Sequence, residues 1–112
     1  MIEIVIKNYL ESVVDIPVYL EIPAKNTAQE FYTVELVGGG KEDEIGKSSI
    51  TIESYGSSLY RSALLDEQMR EYMKNAVQCA EIYGVNLNSH YNATDTERNI
   101  YKYKALFDIN HY

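Results

Sequence analysis

The sequence predicts an α+β fold, in which a small mixed or antiparallel sheet of four to five strands packs against two helices. Apolar residues recur at helical spacing in two separated stretches, about 2–13 and about 58–83. The stretches between and after them alternate apolar and polar residues, as half-buried strands do. Because successive strands follow one another on short connections, we expect antiparallel or mixed pairing and hence the α+β class.

The chain has the composition of one globular domain, which we expect to span residues 1–112. It has 46% hydrophobic and 24% charged residues, so a real buried core is expected. Its 17 acidic and 10 basic residues give a formal net charge of -7. That charge disfavours binding to nucleic acid by counterion release, but it is compatible with a surface past which DNA moves without adhering.

The first helix is predicted over residues 2–13 and ends before Pro17, since the residue before a proline avoids helical geometry. A strand over residues 1–6 is the weaker alternative. Residues 18–22 lie between Pro17 and Pro23, which is typical of a first or edge strand. The expected core face of the helix consists of Ile2, Val5, Ile6, Tyr9, Leu10 and Val13.

A hairpin with a long connection is predicted next. Its first strand covers residues 31–37, and its second strand begins at Ser48. The connection contains three glycines and then the acidic triplet Glu42, Asp43 and Glu44. Tyr32, Val34 and Leu36 are expected to share one face of the first strand. Ile50, Ile52 and Ser54 are expected to share one face of the second.

The long helix, about 58–83, is predicted to begin after Gly56 ends the second strand of the hairpin. Ser57 or Ser58 is the expected N-cap, and Gly84 is expected to close the helix in a left-handed conformation. We expect the helix to fold back over the sheet. Its predicted core stripe is Leu65, Met69, Tyr72, Met73, Ala76 and Ala80.

The last strand is predicted over residues 100–112. A possible short strand at residues 85–88 and a polar loop at residues 92–99 precede it. The expected order is therefore helix, three strands, helix and two strands. One face of the last strand comprises Tyr101, Tyr103, Ala105, Phe107, Ile109 and His111.

No residue pattern in the sequence predicts an enzyme. Residues 40–48, GKEDEIGKS, resemble a phosphate-binding loop, but five residues separate the glycines where the motif needs four, and a strand follows instead of a helix. The acidic triplet lacks the alternating ligand spacing of a calcium loop. His90 and His111 have no partner nearby in the sequence. We therefore expect no catalytic residue, no cofactor and no metal.

Cys79 is the only cysteine, so a small core residue in a reduced compartment is expected rather than a disulfide or zinc site. The N-terminal stretch carries Glu3, Lys7 and Glu11, so we do not expect a signal peptide. No segment has the ~20 apolar residues of a membrane span. The 11 tyrosines are typical either of an assembling protein or of a small core with tyrosine at its margins.

Five segments together carry a family resemblance: residues 18–23, 31–40, 49–58, 92–98 and 101–112. Their features are an early strand, a strand ending in a double glycine, a strand that enters a helix with Arg61 and Ala63, and a final strand that follows an arginine and closes on an aromatic residue. In this order they resemble small tail-completion proteins of long-tailed bacteriophages. Tyr55 and Gly56 stand where that family often carries tryptophan and alanine.

The resemblance implies a tail terminator of a phage or prophage, a structural virion protein of the head–tail connector. Such proteins form a ring, usually a hexamer, that caps the tail tube, ends its polymerisation and presents the surface that docks to the head. The implied partners are further copies of the chain, the tail tube protein and the head-completion or stopper protein. DNA passes through the lumen without being bound specifically. The implied locations are the host cytoplasm during assembly and then the head-proximal end of the virion tail, with no membrane.

A closed ring needs a head-to-tail contact, which sheet edges and long loops naturally supply. We expect the loop at residues 38–46 to contact another subunit or the tube, or to line the lumen. In the lumen, its carboxylates would repel phosphates and keep passing DNA from adhering. The alternative function is a small non-enzymatic protein-binding or regulatory module. The predicted loop comprises Gly38, Gly39, Gly40, Lys41, Glu42, Asp43, Glu44, Ile45 and Gly46.

Overall fold

The structure is a computed structural model that describes residues 1–25, 28–42 and 45–112, with the backbone alone described for residues 39–42 and 45. Its helices and strands follow the predicted order, and the α+β class is confirmed. In chain order they are α1 (Ile2–Val13), β1 (Val18–Tyr19), β2 (Phe31–Glu42), β3 (Ile45–Gly56), α2 (Leu59–Lys74), β4 (Ile82–Asn92) and β5 (Tyr101–His111). A short 3₁₀ turn, Ala76–Gln78, follows α2.

The strands form one mixed sheet in the order β1-β2-β3-β5-β4. β1 runs parallel to β2 and pairs only Val18 and Tyr19 with it, so this strand is shorter than predicted but lies at the sheet edge as expected. The pairs β2–β3, β3–β5 and β4–β5 are antiparallel. The last strand in the sequence therefore lies inside the sheet, while β1 and β4 form its two edges.

Both helices pack on one face of the sheet, which we call the core face. Its buried strand residues are Tyr32, Val34, Ile50, Ile52, Ala105, Phe107 and Ile109. α1 contributes Ile2, Ile6 and Leu10, and α2 contributes Leu65, Met69 and Met73. Full burial of each such side chain stabilises the fold by roughly 1.5–3 kcal/mol. The predicted faces of α1, β3 and β5 are thus confirmed.

The connection between β3 and α2 is tight because of two residues. Ser58 is the N-cap of α2, and its hydroxyl accepts a hydrogen bond from the Arg61 N–H at 3.1 Å. A Cβ atom at Gly56 would lie 2.3 Å from the Ser62 nitrogen, so only glycine lets the helix approach the strand this closely. The predicted cap and the predicted break are both confirmed.

The predicted end of the long helix is wrong. α2 ends at Lys74, and its C-cap is Asn75 rather than Gly84. Ala76 is buried in the 3₁₀ turn that continues the helix, but Ala80 is exposed, and Tyr83 and Gly84 belong to β4. Helical spacing cannot separate a helix that tightens into a 3₁₀ turn from one that continues, because the first buried residue after the break still falls in phase.

The strands on either side of the hairpin connection, and the strand after α2, are longer than predicted. β2 continues to Glu42, β3 begins at Ile45 and β4 spans Ile82–Asn92. Leu36, predicted to share the core face with Val34, is 41% exposed beside an irregularity in the β2–β3 register. Glycine and polar residues weaken the alternating pattern, although their backbone groups still pair.

Candidate assembly surface

The stretch predicted as a loop, residues 38–46, is mostly paired strand. Gly38, Gly39 and Gly40 pair with Ser49, Ser48 and Lys47, and the ladder continues through Lys41 opposite Gly46 and Glu42 opposite Ile45. Two of the predicted site residues, Asp43 and Glu44, lie outside the described residues. The hairpin itself is confirmed, but its loop boundaries at residues 38 and 46 are corrected, because backbone pairing needs no side chain from the glycines.

The outer side of β2 forms an open edge over most of its length. In the described part of the chain, β1 pairs with β2 only at Tyr32 and Thr33. Residues 34–42, which we call the β2 edge, therefore have a strand on the β3 side alone. Val37 within this edge is 51% exposed. Such an edge presents backbone N–H and C=O groups that can pair with another strand.

His111 anchors the base of the hairpin, which the sequence did not predict. Its Nε2 lies 2.8 Å from the Ser48 hydroxyl, and its Nδ1 lies 3.0 Å from the Tyr112 carbonyl oxygen. The imidazole covers Gly46, where a Cβ atom would lie 2.4 Å from the ring. Ser48 and His111 are 63 residues apart, so the strand pattern showed their common face but gave no sign of their register.

A polar groove of about 540 Å³ lies next to the hairpin on the face opposite the helices, which we call the outer face. Asp108 organises it by accepting hydrogen bonds from the Ser49 hydroxyl and the Asn88 amide, each at 3.1 Å. Lys47, also in the lining, is exposed. Since the Asp108 carboxylate is already bonded on both oxygens, we read this groove as a hydrated surface that links β3, β5 and β4.

An aromatic cluster lies at the other end of the outer face. Phe31 stacks on Tyr55 with ring centroids 4.4 Å apart, and Tyr19 contacts Phe31 at 5.5 Å. Lys102 lies 5.4 Å from the Tyr55 ring centroid and 3.0 Å from Glu53. Burial, together with the Glu53 carboxylate, raises the pKa of Tyr55. This cluster borders a groove of about 470 Å³ whose lining is largely apolar.

Glu30 joins the start of β2 to the start of α2. Arg61 donates two hydrogen bonds to its carboxylate, at 2.9 and 2.8 Å, and the Ser57 backbone and hydroxyl donate two more. The Arg61 hydrogen bonds are the main reason why the pKa of Glu30 is lowered to about 2. The arrangement fixes the N-terminus of α2 over the hairpin strands, so it positions the surface rather than forming a chemical site.

A buried carboxylate lies where α2 approaches β4. Asp66 is 1% exposed, its Oδ2 accepts a hydrogen bond from Arg70 Nε at 2.9 Å, and His90 Nδ1 lies 3.5 Å from the same oxygen. Asp66 Oδ1 and the Ser54 hydroxyl are buried without a hydrogen-bond partner among the described residues. Because Arg70 neutralises the carboxylate, we read this cluster as an internal ion pair.

The described residues contain no group of three or more histidine, cysteine, aspartate or glutamate side chains arranged to hold a metal ion. Cys79 is half-buried at the end of the 3₁₀ turn and packs against the core. Burial raises the pKa of its thiol, and the nearby Glu81 carboxylate adds to this shift. A thiol of this kind is a poor nucleophile.

Comparison of the chain with protein-family models gives no match, and comparison with curated proteins gives none either. None of the helices in the described ranges is long and apolar enough to cross a membrane.

Proposed function

We propose that the chain is a tail terminator, a structural virion protein whose copies form a ring, in the hexameric form usual for that family, on the head-proximal end of a phage or prophage tail tube. The ring ends tube polymerisation, docks the stopper protein of the head and lets DNA pass. The observation that carries the proposal is the open β2 edge, which runs directly into the glycine-rich and acidic hairpin. A surface of this kind is suited to contact between copies.

The hairpin, residues 38–46, is the part of this surface that faces another subunit, the tube or the lumen. His111 and Ser48 hold its base through a hydrogen bond, and the β2–β3 pairing continues to Glu42 and Ile45. Its described residues are therefore a paired strand ladder. The sequence of this segment includes three consecutive acids, Glu42, Asp43 and Glu44. In a ring lumen, these acids repel DNA phosphates, so passing DNA does not adhere to the lumen wall.

Tail-tube capping is the direct test. The purified chain is added to tail-tube subunits as they polymerise, and tube lengths and capped ends are measured by electron microscopy. The wild-type chain should shorten the length distribution and place a cap at one end of each tube. Val37→Lys, which puts a charge on the β2 edge, should abolish capping, whereas Gln68→Lys on the exposed side of α2 should cap normally. Uncapped tubes of unlimited length with the wild-type chain would refute the proposal.

The role of the acids is tested separately from capping. A variant with Glu42→Gln, Asp43→Asn and Glu44→Gln should still join heads to tails but deliver DNA more slowly. A matched variant that neutralises the exposed residues Glu67, Glu81 and Glu97 changes the net charge equally and should deliver DNA as the wild type does. Unchanged head joining and DNA delivery in the first variant would rule out the lumen role of the hairpin.

The second candidate is a small non-enzymatic protein-binding or regulatory module. The largely apolar groove beside Phe31 and Tyr55 favours it, because aromatic residues are enriched at protein interfaces. Tyr55→Ala distinguishes the two functions. A terminator should still cap tubes with this change, whereas a module that acts through the groove should lose its partner without any effect on tubes.

A further inference from the structure

We infer that the exposed edge of β4 binds the β2 edge of a second copy of this chain, so that the sheets of neighbouring subunits join through backbone hydrogen bonds. β4 forms the sheet edge opposite β1 and β2, and β5 is its single strand neighbour in the described part of the chain. The inference names the second half of the subunit contact. It rests on the proposed function only for the closure of successive contacts into a ring.

The composition of β4 is the first reason for this inference. The strand is 11 residues long, and no Asp, Glu, Lys, Arg or Pro occurs between Glu81 and Asp95. The whole chain is 24% charged, yet this uncharged stretch coincides with an edge strand, where charged residues are most expected. Proteins usually protect long edge strands with lysine, proline or inward-pointing charges. The protective features of β4 in the described structure are two register irregularities, which can also disfavour edge pairing.

The exposure of β4 is the second reason. Every residue from 86 to 92 is exposed, including Leu87 at 44% and Tyr91 at 51%. Tyrosine and leucine in these positions gain from being covered by a neighbouring strand, whereas asparagine and serine tolerate either environment. The strand therefore has the pairing groups and the apolar side chains of an interface, without the charges that would oppose it.

The second free edge of the same sheet identifies a second copy as the occupant, because β4 and the β2 edge each have a strand on one side alone in the described part of the chain. The contact must also accommodate the charge of the molecule. Two copies with a formal net charge of -7 each repel one another, so a contact between them must keep carboxylates apart. β4 brings no carboxylate to this contact, and the glycine segment of the β2 edge, residues 38–40, brings no side chain. The acids of the β2 edge, Glu35 and Glu42, lie on either side of that segment in the sequence. The two edges are also of similar length, residues 34–42 and residues 82–92.

The position of the two edges fixes the type of contact. Because they lie on opposite sides of one sheet, pairing β4 of one copy with β2 of the next leaves a free β2 edge and a free β4 edge at the ends of the pair. This is a heterologous contact, which repeats until a ring closes or a filament grows. A β4–β4 or β2–β2 contact would instead stop at a dimer.

Two edge variants test the contact through complementation. Ser89→Lys blocks the β4 edge, Val37→Lys blocks the β2 edge, and Gln68→Lys is the matched control for charge. Thermal unfolding first shows that each variant is folded. Sedimentation equilibrium is then measured up to about 1 mM, because a contact of this size is expected to be weak in isolation.

The wild type and Gln68→Lys should associate as concentration rises, and each edge variant alone should associate at least about tenfold more weakly. A 1:1 mixture of the two edge variants should restore association but stop at heterodimers, since each member keeps one intact edge. Amide exchange should slow in residues 82–92 of the Val37→Lys partner and in residues 34–42 of the Ser89→Lys partner.

Several results would overturn the inference. One is that Ser89→Lys alone associates as strongly as the wild type, and another is that Val37→Lys alone forms dimers in which two β4 strands pair. The others are that the 1:1 mixture does not regain association and that the wild type stays monomeric at every concentration. Failure of the proposed function is distinguishable from these. If the variants associate in the complementation pattern but the wild type does not cap tubes, the terminator role is refuted and the contact stands. If a folded Ser89→Lys chain caps tubes, the contact is refuted and the terminator role stands.

Discussion

At the scale of single residues, the surface depends on polar contacts between segments that are distant in the sequence. His111 reaches Ser48 across the β3–β5 pair, and Glu30 accepts hydrogen bonds from Arg61 and Ser57 at the start of α2. The contacts of His111 with Ser48 and of Glu30 with Arg61 are partly buried, where a hydrogen bond contributes about 1 kcal/mol and an orphaned group costs more. Conservative substitutions at these sites therefore give measurable and distinct effects.

Gly46→Ala should lower the free energy of unfolding by about 1 kcal/mol, measured by chemical denaturation. The new methyl group would lie 2.4 Å from the His111 ring, which can turn away but then loses its hydrogen bond to Ser48. Gly38→Ala is the control, since nothing lies within 4 Å of its added Cβ. In a His111→Ala background, Gly46→Ala should cost much less. An equal cost in both backgrounds would show that the imidazole is not the cause.

Glu30→Gln should lower the free energy of unfolding by about 1 kcal/mol at pH 7, because it removes the carboxylate that Arg61 and Ser57 bind. The pKa of Glu30 is lowered from 4.5 to about 2, so the ionised group stabilises the fold fully above pH 4.5. This stabilisation is lost as the pH falls towards 2. Denaturation curves between pH 7 and 2 should show the difference from wild type shrinking across that window.

The control for Glu30 is Glu67→Gln, which removes an exposed carboxylate from α2. It should change the free energy of unfolding by no more than about 0.5 kcal/mol. A difference between wild type and Glu30→Gln that stays constant down to pH 2 would contradict the assigned role of the ion pair.

At the scale of helices and strands, the sequence predicted the order of elements and one-sided packing. Alternation at Ile50 and Ile52, and at Phe107 and Ile109, gave the core face correctly because apolar residues mark it directly. The predicted end of α2 is too late, because the 3₁₀ turn after it keeps the helical phase. The predicted bounds of β2, β3 and β4 are too short, because glycine, asparagine and serine take part in pairing without an apolar signal. Tertiary context, not local preference, decides structure at such residues.

The candidate surface was predicted only in part for the same reason. The hairpin was located from its glycines and acids, but the open β2 edge follows from β1 being two residues long, which the sequence does not reveal. The β4 edge and the contact between Ser48 and His111 depend on β5 lying between β3 and β4. Strand order of this kind cannot be read from periodicity, because each strand has the same pattern wherever it lies in the sheet.

Gly56→Ala should lower the free energy of unfolding by at least about 2 kcal/mol, because the Cβ would meet the Ser62 nitrogen at 2.3 Å and the helix would have to move. Gly84→Ala is the matched control within a strand. Its Cβ would meet the Asn110 side-chain amide at 2.8 Å, and that side chain can turn aside, so a cost below about 1 kcal/mol is expected. Equal costs at the two glycines would show that α2 does not depend on this close approach.

At the scale of the whole molecule, charge opposes self-association and backbone pairing favours it. The chain has a formal net charge of -7, and its described part measures 44 × 26 × 24 Å along its principal axes. At this size, much of the repulsion between two copies acts across distances that salt screens, whereas strand pairing is little affected by salt.

Self-association should therefore strengthen when the ionic strength is raised from about 0.01 M to about 0.3 M, over which the Debye length falls from about 30 Å to below 10 Å. Sedimentation equilibrium at both salt concentrations measures the effect. The Gln68→Lys substitution adds a positive charge and so lowers the net negative charge by one unit, and the association of this variant should depend on salt slightly less. Association that weakens with salt would point to an interface built from opposite charges instead of backbone pairing between strand edges.

The position of β5 between β3 and β4 also determines when, during protein synthesis, the β4 edge can form. β4 is held in the sheet by β5, which leaves the ribosome after the other four strands of the described sheet. Until residues 101–111 are available, β3 has one strand neighbour and β4 has none, so a nascent chain cannot present the β4 edge to another copy. A chain interrupted before residues 101–111 therefore cannot form the contact that we propose for the β4 edge.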